Sequence, residues 1–185
     1  MKIPKQAKKI FTGEIFDTYQ WEQKLYNGST ATFEMLKRPN TVLVISTVGD
    51  KIILACEQQP LKKNPYTLFG GRQEAGETPL RSAKREFLEE SGMVSSDWEI
   101  LHSYQPLIKM DWTIFYFIAR DCKKIQDQKL DPGEKIKLVE LTFEQFVKVM
   151  TEDITRSHWL AFYLLKLKTE GGLEEFKKRL FRSSQ

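Results

Sequence analysis

Three glutamates are spaced so that their carboxylates lie on one face of a helix. Glu86, Glu89 and Glu90 stand at positions i, i+3 and i+4, which at about 100° per residue places them within an arc of about 100°. Like charges at this spacing repel one another by a few tenths of a kcal/mol. A hard divalent cation such as Mg²⁺, with Mn²⁺ as a substitute, binds oxygen ligands and would relieve this repulsion. The alternative is a solvated acidic face balanced by the cations of the same helix, which are Arg81, Lys84 and Arg85.

The segment that carries these glutamates has the start and stop signals of a helix. Thr78 is suited to the N-cap, Pro79 to the first helical position, and Gly92 to the residue after the last turn. Leu80, Ala83 and Phe87 form an apolar stripe beside the carboxylates. The pattern therefore predicts a helix of about 13 residues that packs on a sheet and leaves its acidic face at the edge of the core.

Residues 71–93, GRQEAGETPLRSAKREFLEESGM, match the signature GX5EX7REUXEEXGU, in which U is a bulky apolar residue. Both apolar positions fit, as Phe87 and Met93, and so do all the fixed positions, which are Gly71, Glu77, Arg85, Glu86, Glu89, Glu90 and Gly92. A chance match in a chain of this length has a probability on the order of one in ten million at ordinary residue frequencies. The chain therefore resembles the Nudix hydrolases.

This resemblance implies a metal-dependent attack of water on a pyrophosphate bond. It implies that Glu86 and Glu90 are the main Mg²⁺ ligands, with Glu89 as a further or water-mediated ligand and the Gly70 carbonyl as a backbone ligand. Arg85 and Glu77 would orient these carboxylates, and Gly71 and Gly92 would support the site. The catalytic residues would be Glu89, Arg85 and Glu134, with Glu134 as the general base and Asp131 as the alternative base.

Features outside the signature resemble one branch of the family, the ADP-ribose and nucleoside-diphosphate-sugar pyrophosphatases. They are KLYNGS before a strand, KRPNTVLVI, and Pro106. The resemblance implies that the products are a nucleoside monophosphate and a sugar phosphate. The residues expected to bind substrate are Arg38, Arg72, Trp21, Phe33 and Gln58. Where relatives often have an arginine after the second core strand, this chain reads EQQPLKK, so Gln58, Lys62 or Lys63 would take over recognition. The alternatives are a house-cleaning hydrolase of nucleoside triphosphates and an inactive nucleotide-sensing module.

Strand and helix patterns on either side of the signature predict the elements that must position it. Family resemblance and pattern agree on an α/β/α sandwich with a mixed central sheet, an extra N-terminal antiparallel hairpin and C-terminal helices. We divide the chain into N-terminal strands (1–40) and a hydrolase domain (41–185), with the resemblance implying a homodimer whose N-terminal strands cross to the partner. The predicted strands are 11–20, 30–37, 41–47, 51–56, 98–104, 113–119 and 135–141, the predicted helices are 143–150, 156–168 and 173–181, and 60–65 is a predicted loop.

The bulk composition is that of a globular protein whose partner is a small molecule. The 185 residues carry 29 Lys and Arg against 25 Asp and Glu, a mild excess that does not indicate nucleic-acid binding. The sequence contains no stretch of about 18 apolar residues, so we do not expect a membrane span. Cys56 and Cys122 lack metal-site spacing, so we expect idle thiols in a reducing cytoplasm. His102 and His158 have no ligand or triad spacing and are expected to be packing or surface residues.

Overall fold

The computed structural model describes residues 2–59, 62–152 and 157–182. Its helices are α1 (Pro79–Ser91), α2 (Phe143–Glu152), α3 (His158–Glu170) and α4 (Leu173–Leu180). Its strands are β1 (Lys8–Thr12), β2 (Asp17–Lys24), β3 (Thr30–Lys37), β4 (Thr41–Val48), β5 (Lys51–Gln59), β6 (Lys62–Thr67), β7 (Met93–Val94), β8 (Asp97–Tyr104), β9 (Met110–Asp111), β10 (Ile114–Arg120), β11 (Lys123–Lys124) and β12 (Lys135–Leu141).

A mixed sheet in the order β12-β5-β4-β10-β8 forms the centre of the protein, with β6 also paired to β5. Strands β4 and β10 run parallel, and the other neighbours run antiparallel. Successive residues of a strand point to opposite faces. On β5, Ile52 and Leu54 therefore pack in the core shared with α2, α3 and α4, whereas Ile53 and Ala55 pack in the core shared with α1. The predicted α/β/α sandwich is confirmed.

The N-terminal residues form a second sheet in the order β1-β2-β3-β9. Strands β2 and β3 make the predicted hairpin, whose turn places Gly28 at φ 83°. The predicted first strand, 11–20, is wrong in extent. The chain turns at Gly13, whose N–H donates to the carbonyl of Phe16 at 3.0 Å, and β2 then continues to Lys24.

Short backbone contacts join the N-terminal sheet to the central sheet. Strand β9 pairs in parallel with Leu36 and Lys37 at the end of β3. Further along the chain, at the start of β4, the N–H of Thr41 donates to the carbonyl of Thr113 at 3.0 Å. The segment around residue 40, where we divide the chain, is thus held between the two sheets, and the division itself stays a prediction.

The predicted loop at 60–65 is wrong for residues 62–65, which begin β6. Pairing runs from Gln59 with Lys62 to Ala55 with Thr67, with a register shift between Ala55 and Glu57. Pro65 falls in this irregular stretch, where its missing N–H costs no ladder bond. Residues 60 and 61 lie outside the described part of the chain.

The C-terminal helices follow the predicted order. Strands β8, β10 and β12 and helices α2 and α4 agree with their predicted spans to within two residues. The predicted start of the third helix, Arg156, lies outside the described residues.

No helix in the described residues has the length and apolar character needed to cross a bilayer.

Candidate active site

A glycine-containing segment after β6 is inserted beside β4 and forms one wall of the site. Strands β4 and β5 pair only near their hairpin, from Ser46 to Val48. Further along β4, Val44 N–H donates to the Phe69 carbonyl at 2.8 Å and Val42 N–H to the Gly71 carbonyl at 3.0 Å. A Cβ atom on Gly70 would lie 2.0 Å from the Val42 carbonyl oxygen, and the φ of Gly70 is +140°. Only glycine allows this close approach.

Helix α1 is capped and docked largely as the sequence predicts. The Thr78 side chain accepts from Arg81 N–H at 3.3 Å, and Gly92 at φ 71° ends the helix. Ala83 and Phe87 are fully buried against the sheet. Leu80, which was expected to pack beside them, is 38% exposed, so the apolar stripe is one residue shorter than predicted.

Arg85 holds the carboxylates of α1 and the preceding loop in place. Its Nε and Nη2 donate to the two carboxylate oxygens of Glu77 at 3.2 and 3.1 Å. Its Nη1 donates to Glu86 at 3.0 Å and to Glu89 at 3.1 Å, and its Nη2 also donates to the Arg72 carbonyl at 3.1 Å. These contacts use the five N–H donors of the guanidinium, which fixes the carboxylates as the signature match implies.

Glu77 anchors the other side of this arginine. Besides Arg85, it accepts from the Ser82 hydroxyl and from Glu74 N–H at 3.3 Å. The hydrogen bonds from Arg85, followed by the one from Ser82, lower the pKa of Glu77 to about 2. Glu77 is therefore ionised at neutral pH, and it supports the site without being part of the exposed acidic face.

Nearby protein groups do not fully balance the negative charge that Glu86 and Glu90 would carry when ionised. Glu90 accepts from Gly70 N–H at 2.7 Å, yet burial, together with Glu86, Glu134 and Glu57, raises its pKa to about 9. Burial also raises the pKa of Glu86, against the opposing effect of Arg85. Partly buried carboxylates in such a group favour a bound cation, which would replace the protons.

Gly71 allows Glu86 to lie against the loop. A Cβ atom at this position would stand 2.6 Å from the carboxylate carbon and from both carboxylate oxygens of Glu86. Gly71 is therefore needed for room, and its role in the signature has a direct steric reason here.

A second loop, before β12, is tied to the end of α1. Lys129 N–H donates to the Glu89 carbonyl at 2.8 Å, and the Gln128 side-chain amide donates to the Glu90 carbonyl and, at 3.3 Å, to the Ile136 carbonyl. Asp131 and Glu134 follow at the turn, where Glu134 N–H donates to the Asp131 carbonyl at 3.1 Å. Because Asp131 raises the pKa of Glu86 and Glu134 raises that of Glu90, both candidate bases lie within electrostatic reach of the predicted metal ligands.

Two residues that contact or influence the acidic face of α1, Glu57 and Gln128, were not predicted from the sequence. Glu57 on β5 adds to the negative potential at Glu90, and Gln128 links that helix end to the base-bearing loop. Neither lies in the signature. Glu57 lies where β5 pairs with Ile136 at the start of β12, and no local sequence pattern records that pairing.

The side chains present fit a hard divalent cation that retains part of its water. Within the described residues, no three carboxylate, imidazole or thiol groups already form a complete metal cage. Mg²⁺ does not require one, because it commonly binds one or two carboxylates, substrate phosphates and water. The carboxylates of Glu86 and Glu90, next to the Gly70 backbone, supply ligands of that chemistry.

The residues expected to bind substrate fall into two places. Gln58 on β5 pairs with Lys135, directly after Glu134. Arg72 lies in the loop before α1 and bridges to Thr41, three residues after Arg38. Trp21 and Phe33 lie in the N-terminal sheet, with ring centroids 6.0 Å apart and Trp21 only 7% exposed. Their contact with substrate stays a prediction. The side chains of Lys62 and Lys63 lie outside the described part of the structure.

Comparison with known proteins agrees with this architecture. The model of the NUDIX domain matches residues 37–168. An ADP-ribose pyrophosphatase of Bacillus subtilis (strain 168) is 27% identical over 147 residues, covering 77% of this chain and 80% of the relative. A methanol dehydrogenase activator of Bacillus methanolicus is 29% identical over 151 residues, covering 80% and 82%. A crystal structure of an ADP compounds hydrolase shares the fold with a TM-score of 0.67 at 20% identity, over 90% of this chain and 94% of that one.

Proposed function

The chain belongs to the NUDIX family and is a Nudix pyrophosphohydrolase, and we propose that it hydrolyses ADP-ribose or a nucleoside diphosphate sugar with Mg²⁺. The products are a nucleoside monophosphate and a sugar phosphate. The observation that carries the proposal is the carboxylate face of α1, in which Arg85 and the Gly70–Gly71 segment hold Glu86, Glu89 and Glu90. The choice of substrate is supported by the ADP-ribose pyrophosphatase of Bacillus subtilis.

Glu86 and Glu90 are the side chains that would hold the cation, with Glu89 as a further ligand. A bound Mg²⁺ supplies positive charge that polarises the diphosphate and lowers the pKa of water. Arg85 contributes by fixing the rotamers of Glu86 and Glu89, and Gly70 N–H fixes one oxygen of Glu90. Such fixed ligand geometry avoids reorganisation when the substrate reacts.

Glu134 is our proposed general base, and Asp131 is the alternative. Glu134 lies on the loop that Gln128 and Lys129 attach to the end of α1, and it influences the pKa of Glu90. A carboxylate in this place can accept the proton of the attacking water if that water lies within hydrogen-bond reach. Glu134→Gln should then lower kcat by about a hundredfold or more while leaving Mn²⁺ binding unchanged. Loss of activity in Asp131→Asn, with full activity in Glu134→Gln, would reverse the assignment.

A substrate panel analysed by product mass tests the proposed reaction. Purified protein with Mg²⁺ is incubated with ADP-ribose, nucleotide sugars and nucleoside triphosphates, and we expect a mononucleotide and a sugar phosphate from the first two groups. Glu90→Gln should reduce the rate at least about a hundredfold, since one metal ligand is lost. Glu175→Gln, which removes an exposed carboxylate from α4, serves as the control. Cleavage of triphosphates alone would favour the house-cleaning reaction, and absence of any cleavage would favour a nucleotide-sensing role.

We also propose a homodimer in which the N-terminal sheet contacts the partner. Strand β1 is exposed along its whole length, and Ile10 and Phe11 are 53% and 60% exposed. Apolar side chains on an edge strand are costly in water unless covered. Light scattering at micromolar concentration should give twice the mass of the chain, and Phe11→Lys should shift it toward the monomer. A monomeric wild-type protein would contradict the proposal.

A further inference from the structure

The last carbonyls of α1 accept hydrogen bonds from a segment that is distant in the sequence, residues 125–129. The last four carbonyls of a helix have no partner within the helix and need donors from elsewhere. Lys129 N–H donates to the Glu89 carbonyl at 2.8 Å, and the Gln128 side-chain amide donates to the Glu90 carbonyl. This segment therefore closes the end of α1 that carries two of the predicted metal ligands.

Gly92 allows the same segment to approach the end of α1 closely. Its carbonyl accepts from Ile125 N–H at 2.9 Å and from Gln126 N–H at 3.3 Å. A Cβ atom on Gly92 would lie 2.2 Å from the Gln126 carbonyl oxygen, and the φ of Gly92 is +71°. The last fixed glycine of the signature thus has two roles, because it ends the helix and also makes room for the segment.

The half-buried side-chain amide of Gln128 joins two elements at once. Its nitrogen has two hydrogens, and it donates to the Glu90 carbonyl of α1 and, at 3.3 Å, to the Ile136 carbonyl of β12. The reverse orientation of the amide would place its oxygen against both carbonyl oxygens, so the two acceptors fix which atom is the nitrogen. Gln128 therefore connects the signature helix to the strand that follows the base-bearing turn.

Both candidate bases lie in the chain between the two residues that this bond joins. Asp131 and Glu134 come after Gln128 and before Ile136, and Glu134 N–H donates to the Asp131 carbonyl at 3.1 Å. The charge of Glu134 raises the pKa of Glu90, so the turn lies near the predicted metal ligands. A turn that is held at both ends has less conformational freedom, which restricts where its carboxylates can lie relative to α1.

We propose that Gln128 is a positioning residue, which holds the general base of the Asp131–Glu134 turn at a fixed distance from the end of α1. In this role it acts through the carboxylate that accepts the proton of the attacking water. The existence of that base rests on the proposed function, whereas the anchoring of the turn to α1 does not. A displacement of about 1 Å in a reacting group can reduce the rate about a hundredfold, so loss of the anchor should affect kcat.

Gln128→Met tests this role, because methionine has a similar length and no amide. We expect kcat to fall about tenfold or more, whereas KM and the affinity for Mn²⁺ should not change, since the Glu90 carboxylate is held by Gly70 N–H. Gln126→Met is the matched control. It lies in the same segment with an exposed side chain and should keep the wild-type kcat. An unchanged kcat in Gln128→Met, or an equal loss in both variants, would overturn the proposal.

Double variants identify the group through which Gln128 acts. Gln128→Met should lower kcat much less in the background of Glu134→Gln than in the wild type, because a base that has been removed cannot be misplaced. If Asp131 is the base, the effect should disappear in the background of Asp131→Asn instead. A full tenfold loss in both backgrounds would overturn the positioning role, since Gln128 would then act through α1 and its metal ligands.

Amide hydrogen exchange tests the anchor without any substrate. In Gln128→Met, the amides of residues 129–136 should exchange about tenfold faster or more than in the wild type, whereas exchange in α4 should not change. A thermal unfolding curve shows whether the variant is folded. Equal exchange in the wild type and a folded Gln128→Met would overturn the proposal. If exchange rises as expected but the wild type cleaves no substrate, the proposed function and the positioning role fail, and the anchor stands.

Discussion

Replacing Gly71 by alanine should reduce the activity of the enzyme about a hundredfold without unfolding it. The added Cβ would stand 2.6 Å from the carboxylate of Glu86, where ordinary contacts begin at 3.4 Å. The atoms in conflict are the far end of a flexible side chain, so Glu86 can retreat without movement of the backbone. The backbone of Gly71, unlike that of Gly70, does not have the positive φ that would itself strain an alanine.

The retreat required is about 0.8 Å, from the difference between those two distances. A displacement of about 1 Å in a positioned group can reduce the rate about a hundredfold. Stability should change little. The substitution reduces the entropy of the unfolded chain by an amount worth about 0.4 to 1 kcal/mol, which offsets a weakened contact between Glu86 and Arg85 worth at most about 1 kcal/mol.

The assay compares kcat/KM, Mn²⁺ affinity by electron paramagnetic resonance, and the unfolding midpoint of Gly71→Ala with those of the wild type. Gly172→Ala is the matched control, because its Cβ would lie 2.9 Å from the end of the Leu167 side chain, away from the acidic face. We expect about a hundredfold loss of kcat/KM and weaker Mn²⁺ binding in the first variant only. Full activity in Gly71→Ala would refute the reasoning that Glu86 must lie against this loop.

Three further predictions concern two supports of the site, Glu77 and Thr78, and the buried arginine Arg120 at the end of β10. Glu77→Gln should lower activity by releasing Arg85. In the wild type, the Glu77 carboxylate stabilises the fold above its ordinary pKa of 4.5 and loses this effect as pH falls toward about 2. The free energy of unfolding of the variant should therefore change less between pH 7 and pH 3 than that of the wild type, which urea unfolding at both pH values measures. Arg120→Leu removes a guanidinium that is 1% exposed and bonded to Glu99, and urea unfolding should show a loss of about 3 kcal/mol. Thr78→Ala removes the N-cap of α1 and should cost about 1 kcal/mol by the same measurement, whereas no loss would show that the cap does not matter.

Local signals were sufficient to predict the helix that carries the carboxylates. Thr78, Pro79 and Gly92 define its ends by backbone chemistry that depends on neighbouring residues alone, and the structure places them as predicted. The strands β4, β5 and β10 were also predictable from local pattern, because both of their faces are largely buried and they read as apolar runs. Even in this helix, the local pattern predicted that Leu80 packs with Ala83 and Phe87, whereas the structure leaves it 38% exposed.

The parts that local pattern could not predict depend on contacts between distant segments. Gln128 binds the Glu90 carbonyl, and the chain between them includes two strands of the sheet. Glu57 raises the pKa of Glu90 from β5, a strand that lies outside the signature. Strand β6 was missed because Pro65 is typical of a loop, whereas the register shift in the ladder accommodates it within the strand.

The site therefore has two charge imbalances of opposite sign, one at the carboxylates of α1 and the other at Arg38 and Arg72. On one side, burial raises the pKa of Glu86 and Glu90, which favours a cation. On the other side, Arg38 and Arg72 are close enough to interact, and neither forms an ion pair with a carboxylate among the described residues, which favours an anion. A complex of a divalent cation and a phosphorylated substrate would satisfy both sides at once, and each component would strengthen the binding of the other. Such coupling requires that Arg72→Gln weaken pyrophosphate binding in the presence of Mg²⁺ and that pyrophosphate tighten the binding of Mn²⁺ to the wild type more than to Arg72→Gln.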